Sequence, residues 1–151
     1  MIVSDSTTLI ILLDLKRVDL LSNLFHKIYI PHAVLQEINF KNEIVIPYCM
    51  EVVKLKESEL LRSLNNLLDQ GESEAIALAK ELNLPLIIDE KKGRKIAQNS
   101  NIKIIGLLGI VYINIKKKFI SEEDAKIFLK NAVDNGYRIS EKLIDDMWAS
   151  L

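Results

Sequence analysis

The chain has 151 residues, of which 20 are basic and 21 acidic, for a formal net charge of −1. That length suits one domain with one core, residues 1–151, and the cancelling charges argue neither for nor against nucleic acid, so the placement of charges matters more than their sum. The single cysteine, Cys49, excludes an intramolecular disulfide framework and a Cys-rich zinc site, and reads as a small core residue in a reducing cytoplasm.

Half of the residues are apolar, and only 5 Gly and 3 Pro leave no room for a long linker. The apolar run Leu9–Leu13 has no basic n-region before it and lies between Asp5 and Asp14, so it is not a signal peptide. No stretch approaches the roughly 18 apolar residues that span a bilayer. The expectation is a soluble cytoplasmic protein without a membrane partner.

Ile2–Ser4 reads as a first strand, and Ser6, Thr7 and Thr8 supply capping hydroxyls for a helix to about Leu15. Asp19–Phe25 predicts a second helix and Ile28–Ile30 a second strand. Pro31 is placed at the first turn of a helix that ends near Ile38. Across 43–55, IVIP and EVVKL each read as extended, with Pro47 interrupting. Glu57–Leu68 is an amphipathic helix presenting Leu60, Leu61, Leu64, Leu67 and Leu68. Gly71 is read as its break, followed by a helix over Ser73–Leu82. Leu84–Ile88 is a buried strand, Lys91–Asn99 a helix and Lys103–Ile105 a strand. Gly106 and Gly109 flank the turn into a helix through Lys118. Ser121–Asn135 is a helix opened by Ser121 and Asp124, Gly136 ends it, and Ser140–Ser150 forms a last helix. Its apolar side, with Ile139, Leu143, Ile144, Met147 and Trp148, docks on the body or on a partner. Strands separated by helices predict an α/β fold with parallel pairing through right-handed crossovers.

In such sheets the site lies beyond the carboxyl ends of the strands. Asp5 follows the first strand directly, and Asp89 and Glu90 follow the Leu84–Ile88 strand. Converging carboxylates repel unless a cation or proton neutralises them. Hard oxygen donors without His or Cys point to Mg²⁺ or Mn²⁺. Glu37 and Glu72 can join them from neighbouring helices. Glu72 shares the inward face of its helix with Ala75, Ile76, Ala79 and Leu82, where a carboxylate is costly unless used. Glu74 points elsewhere, beside Leu78 and Glu81, and is the reserve. The bland alternative for each acid is helix capping or a favourable dipole contact. Thr7 orients Asp5 or a bound water, or caps the helix. His26 and His32 lie away from strand ends and read as surface residues.

The segments VSDSTTLIIL, LFHKIYIPHAVLQEI, GESEAIALAKELNLPLIIDEKKGRKIA, IKIIGLLGIVYINIKKKFI and GYRISEKLIDDMW resemble, in order and spacing, the PIN-like superfamily. Within it they resemble a small prokaryotic family of predicted nucleic-acid-binding proteins. The resemblance implies a three-layer α/β/α fold with a central, mostly parallel sheet. It implies a Mg²⁺- or Mn²⁺-dependent ribonuclease, with VapC-type toxins and their antitoxin partners as relatives, and a homodimer. It gives the four acidic positions to Asp5, Glu37, Glu72 and Asp89, with Asp5, Glu72 and Asp89 as metal ligands and Thr7, Glu74 and Glu90 in support. Ile87 stands where many active members carry Thr or Ser, and Glu72 where Asp is commoner. A catalytically weakened module that binds nucleic acid or protein is the alternative. A phosphatase would want a second Asp two residues after Asp5, where Thr7 stands.

An RNA substrate needs positive charge beside the acids. Lys91, Lys92, Arg94 and Lys95 follow Asp89 at once and are the candidate phosphate contacts. Lys116, Lys117 and Lys118 read as a solvated face. Aromatics make up only 6% of the chain, so no base-stacking platform is evident.

Overall fold

The computed structural model describes residues 1–41 and 45–151. Five strands form one sheet in the order β3-β2-β1-β4-β5, parallel throughout. They are β1 (Ile2–Ser4), β2 (Ile28–Pro31), β3 (Met50–Val53), β4 (Leu86–Ile87) and β5 (Ile104–Ile105). The helices among the described residues are α1 (Ser6–Asp14), α2 (Asp19–Ser22), α3 (His32–Lys41), α4 (Glu59–Asn65), α5 (Gln70–Leu82), α6 (Lys91–Asn99), α7 (Leu107–Lys116), α8 (Glu122–Asp134) and α9 (Glu141–Ala149).

The strands are short, and their side chains alternate between two apolar cores. Ile2, Ile28, Ile30 and Ile87 face one core with Leu9 and Leu12 of α1, Val34 of α3, Ile110 and Val111 of α7, and Phe128 of α8. Val3, Leu86 and Ile88 face the other with Ala75, Ile76 and Leu78 of α5, Leu61 and Leu64 of α4, and Ala97 of α6. A sheet apolar on both faces must be covered on both, and the result is a three-layer α/β/α sandwich. No described helix is long and apolar enough to cross a membrane.

Several boundaries differ from the sequence expectation. Gly71 does not break a helix; it lies inside the first turn of α5, which starts at Gln70 under an Asp69 cap accepting from the Glu72 N–H at 2.8 Å. Glycine leaves room there: a Cβ would collide with the Glu37 carboxylate unless that side chain moved. Pro31 closes β2, in register with Val53, and the helix begins one residue later. Gly109 sits within α7, which stops at Lys116, while Gly106 is its cap. The helices expected over 19–25 and 57–68 shrink to α2 and α4, and Leu60 and Leu67 are exposed. The strand expected over 84–88 pairs only at Leu86 and Ile87, and that over 103–105 only at Ile104 and Ile105. Leu82, assigned to the inward face of α5, is exposed. Of the IVIP run expected to be extended, Ile44 lies outside the described residues and 45–47 form no strand, whereas the EVVKL run supplies β3 through Val53.

The last helix docks on the body. Met147 is buried in the first core, with Ile139, Ile144 and Trp148 packed against it, whereas Leu143 is 56% exposed.

Helix α7 carries a fully buried polar residue, Asn114. Its Nδ2 donates to the carbonyls of Leu20 and Ile110, both at 2.9 Å, and its Oδ1 accepts from Asn23 at 3.0 Å. This ties α7 to α2 and fixes where the N-terminus of α7 sits. Asn114→Ala leaves a buried carbonyl unpaired, and we expect a loss of about 1–3 kcal/mol in urea denaturation.

Candidate active site

The register places the acids. Ser4 pairs with Ile87, and the Asp5 N–H donates to the Ile87 carbonyl at 3.0 Å. Asp5 and Asp89 therefore leave adjacent strands at the same rim, the carboxyl end of the sheet. Asp5 is 3% exposed and stands at the N-cap position of α1 without a side-chain capping bond. The capping alternative weighed for it therefore does not account for its carboxylate. Glu72, 8% exposed, arrives from the first turn of α5.

One oxygen of each is an orphan. Asp5 Oδ1 and Glu72 Oε2 are buried with no hydrogen-bond partner among the described residues. Burial pushes the Asp5 carboxyl from 3.8 up to about 7, with Glu37, Asp69 and Asp89 adding repulsion against one bond from the Ser6 backbone. Burial likewise pushes Glu72 from 4.5 up to about 8, followed by a side-chain contact with Asp69 and the charges of Asp69, Asp5 and Glu90. Glu37 is also raised, first by burial and then by Asp69, while a 2.7 Å hydrogen bond donated by Ser6 Oγ to its Oε2 works the other way.

Asp89 is exposed at the rim yet firmly held. The Leu107 N–H donates to its Oδ1 and Oδ2 at 3.2 and 3.0 Å, so the carboxylate sits on the N-terminus of α7. The Thr8 hydroxyl donates to Oδ2. Thr7, the expected hydroxyl companion, is exposed instead. One turn of helix separates Asp5 from Thr8, which puts both on the inward side of α1 and turns Thr7 outward.

Glu74, placed beside Leu78 and Glu81 and away from the acids, has protein partners of its own. It is buried, with Oε1 accepting from the Ala33 N–H at 3.2 Å and Oε2 from Gln70 at 3.1 Å, and so caps the start of α3. The geometry thus separates the two glutamates: Glu72 faces the acids, Glu74 the scaffold. Glu90 is exposed and caps α6 through the Lys92 N–H at 3.4 Å.

Two residues of this neighbourhood were not singled out from the sequence. Asp69 acts on Asp5, Glu37 and Glu72 together. Its signal was the Asp-Gln-Gly-Glu run, a capping pattern obscured by reading Gly71 as a break. Thr8 had no signal beyond its hydroxyl.

Three glycines clear the space. A Cβ on Gly71 would strike Glu37, one on Gly93 would lie 2.8 Å from Glu72 Oε2, and one on Gly106 would strike Asp89. Among the described residues no three His, Cys, Asp or Glu side chains stand close enough together to enclose a metal ion as they are. The two orphan oxygens are nonetheless hard anionic donors in a buried place, which is what Mg²⁺ or Mn²⁺ takes. Of the expected basic residues, Lys91, Arg94 and Lys95 line a groove beside Asp89, and Lys92 does not. Arg94 is partly committed, donating to the Ile88 carbonyl at 2.6 Å. His26, His32 and Lys116–Lys118 are exposed.

A family model described as PIN domain matches residues 1–151. No curated protein matches. The fold is similar to that of a PilT N-terminus domain protein, SSO1118, from the hyperthermophilic archaeon Sulfolobus solfataricus P2, at 19% identity and a TM-score of 0.45, over 93% of this chain and 100% of that one.

The raised carboxyls make stability depend on pH. In the fold they keep protons that the unfolded chain releases from 3.8 and 4.5 upward. Metal-free stability should be full below about pH 4 and fall until about pH 8. Urea midpoints in EDTA should therefore be lower at about pH 9 than at about pH 5, and Asp5→Asn should flatten the difference.

Proposed function

The chain belongs to the PIN domain family, and from that premise we propose that it is a metal-dependent endoribonuclease of single-stranded RNA, acting in the cytoplasm as the toxin of a toxin–antitoxin pair and as a homodimer. The observation that carries the nuclease reading is the pair of buried, partnerless oxygens, Asp5 Oδ1 and Glu72 Oε2, at the carboxyl end of a parallel sheet.

Asp5 and Glu72 would hold Mg²⁺ or Mn²⁺, with Asp89 as the third ligand. A carboxylate has about four acceptor sites, so Asp89 keeps capacity beyond its bonds to Thr8 and Leu107. When bound, such an ion lowers the pKa of a water and screens charge on a phosphodiester. The protein's own part is positional. Thr8 and the N-terminus of α7 fix Asp89, Ser6 fixes Glu37 at the second acidic position, and Asp69 holds the turn that carries Glu72. Lys91 and Lys95, which form no ion pair among the described residues, are free to meet RNA phosphates.

A second reading, a binding module with weakened catalysis, is favoured by two observations: Glu37 and Asp89 already spend acceptor capacity on protein donors, and among the described residues no three ligands converge as they stand.

Millimolar Mn²⁺ should raise the melting temperature of the wild-type chain through linkage, and Asp5→Asn should remove that rise. Mn²⁺-dependent cleavage of single-stranded RNA should fall at least about a hundredfold in Asp5→Asn. Cleavage that survives both Asp5→Asn and excess EDTA would sink the nuclease reading. A melting shift without turnover would select the binding module. Replacing Thr8 by Val should weaken Mn²⁺ binding, and Thr8→Ser should restore it.

A further inference from the structure

A groove of about 1010 Å³ opens beside Asp89, between α6 on one side and α7 with α9 on the other. Its α6 wall is basic: Lys91, Arg94 and Lys95 recur at helical spacing and face the same way. Its opposite wall is mainly apolar, with Tyr112 of α7 and Leu143 and Met147 of α9, and carries one acid, Asp146, so that the three cations outnumber the two carboxylates, Asp89 and Asp146. The floor is formed by β5 and the glycines Gly106 and Gly109. One end is thus the acidic site itself, since Asp89 belongs to both.

Charge decides the occupant. A trench with cations along one wall and an aromatic and aliphatic surface along the other fits a chain with regularly spaced anions on one edge and flat apolar faces on the other. We propose that this groove takes the single-stranded RNA segment that runs on from the cleaved phosphodiester, its phosphates on Lys91 and Lys95 and at least one unstacked nucleobase against Tyr112, Leu143 and Met147. The placement of the cleaved bond rests on the ribonuclease reading; the groove's preference for a single strand does not. A duplex keeps its bases paired and cannot offer one to the apolar wall.

The test measures binding of a short single-stranded RNA by fluorescence anisotropy, in an Asp5→Asn background so that turnover plays no part. Leu143→Glu, at an exposed side chain, and Lys95→Glu should each weaken binding about tenfold. Lys95→Glu should also lower the salt slope by about one or two. Lys116→Glu, outside the groove, should leave the affinity unchanged, and a duplex of equal length should compete poorly. Melting curves confirm that each variant is folded. Unchanged affinity in both groove variants, or equal competition by the duplex, overturns the proposal. If RNA affinity holds while Leu143→Glu abolishes self-association in sedimentation, the groove is an interface between copies of the chain and the proposal falls. Absence of cleavage by the wild-type chain speaks against the ribonuclease reading alone, because the binding measurement stands without it.

Discussion

Of the carboxylates that the fold buries, Glu74 receives a donor on each oxygen, whereas Asp5 and Glu72 each keep an oxygen without a partner, and among the described residues neither is given a cation. Most of the local structure follows from that constraint. An ionised carboxyl out of water is costly, so the metal-free protein answers with protons, and both groups are pushed far above their ordinary values. A divalent cation would do the same work without the protons. The acids around the pair are treated differently: Glu37 and Asp89 receive donors from Ser6, Thr8 and the start of α7. The protein therefore neutralises the edge of the cluster and leaves its middle bare.

The scaffold makes this tenable. Parallel register between β1 and β4 delivers Asp5 and Asp89 to one rim, and apolar cores on both faces hold that register. Residues 71–79 of α5 are all buried, so Glu72 is held within the packing rather than at the surface. Asn114 anchors α7 from below, and the same helix presents its N-terminus to Asp89. Core and site are one continuous piece of packing.

Much of this was legible in the sequence because it depends on periodicity. Alternating β-branched runs and helical patterns give the parallel α/β sheet, the family resemblance adds its three layers, and the position directly after a strand marks Asp5 and Asp89. The helical wheel separates Glu72 from Glu74, and in the fold the two carboxylates do have different neighbours, the acids for one and the start of α3 for the other. What the sequence hid is set by contacts between distant segments. That Thr8 rather than Thr7 reaches Asp89 depends on an 81-residue separation in sequence. That Gly71 continues a helix rather than ending one depends on the Glu37 side chain lying against it. Glu74 acquires its partner from the start of α3, 41 residues away. Short-range propensity carries no information about such meetings.

The three glycines at 71, 93 and 106 have a consequence for how this protein can vary. Each abuts the carboxylate of a different acid, Glu37, Glu72 and Asp89 respectively. The charge of the cluster and its shape are thus encoded at separate positions. A single methyl group at any of the three displaces one carboxylate while leaving every acid in place. A lineage, or an engineer, can therefore reshape or close the space between the acids without touching a residue that carries charge.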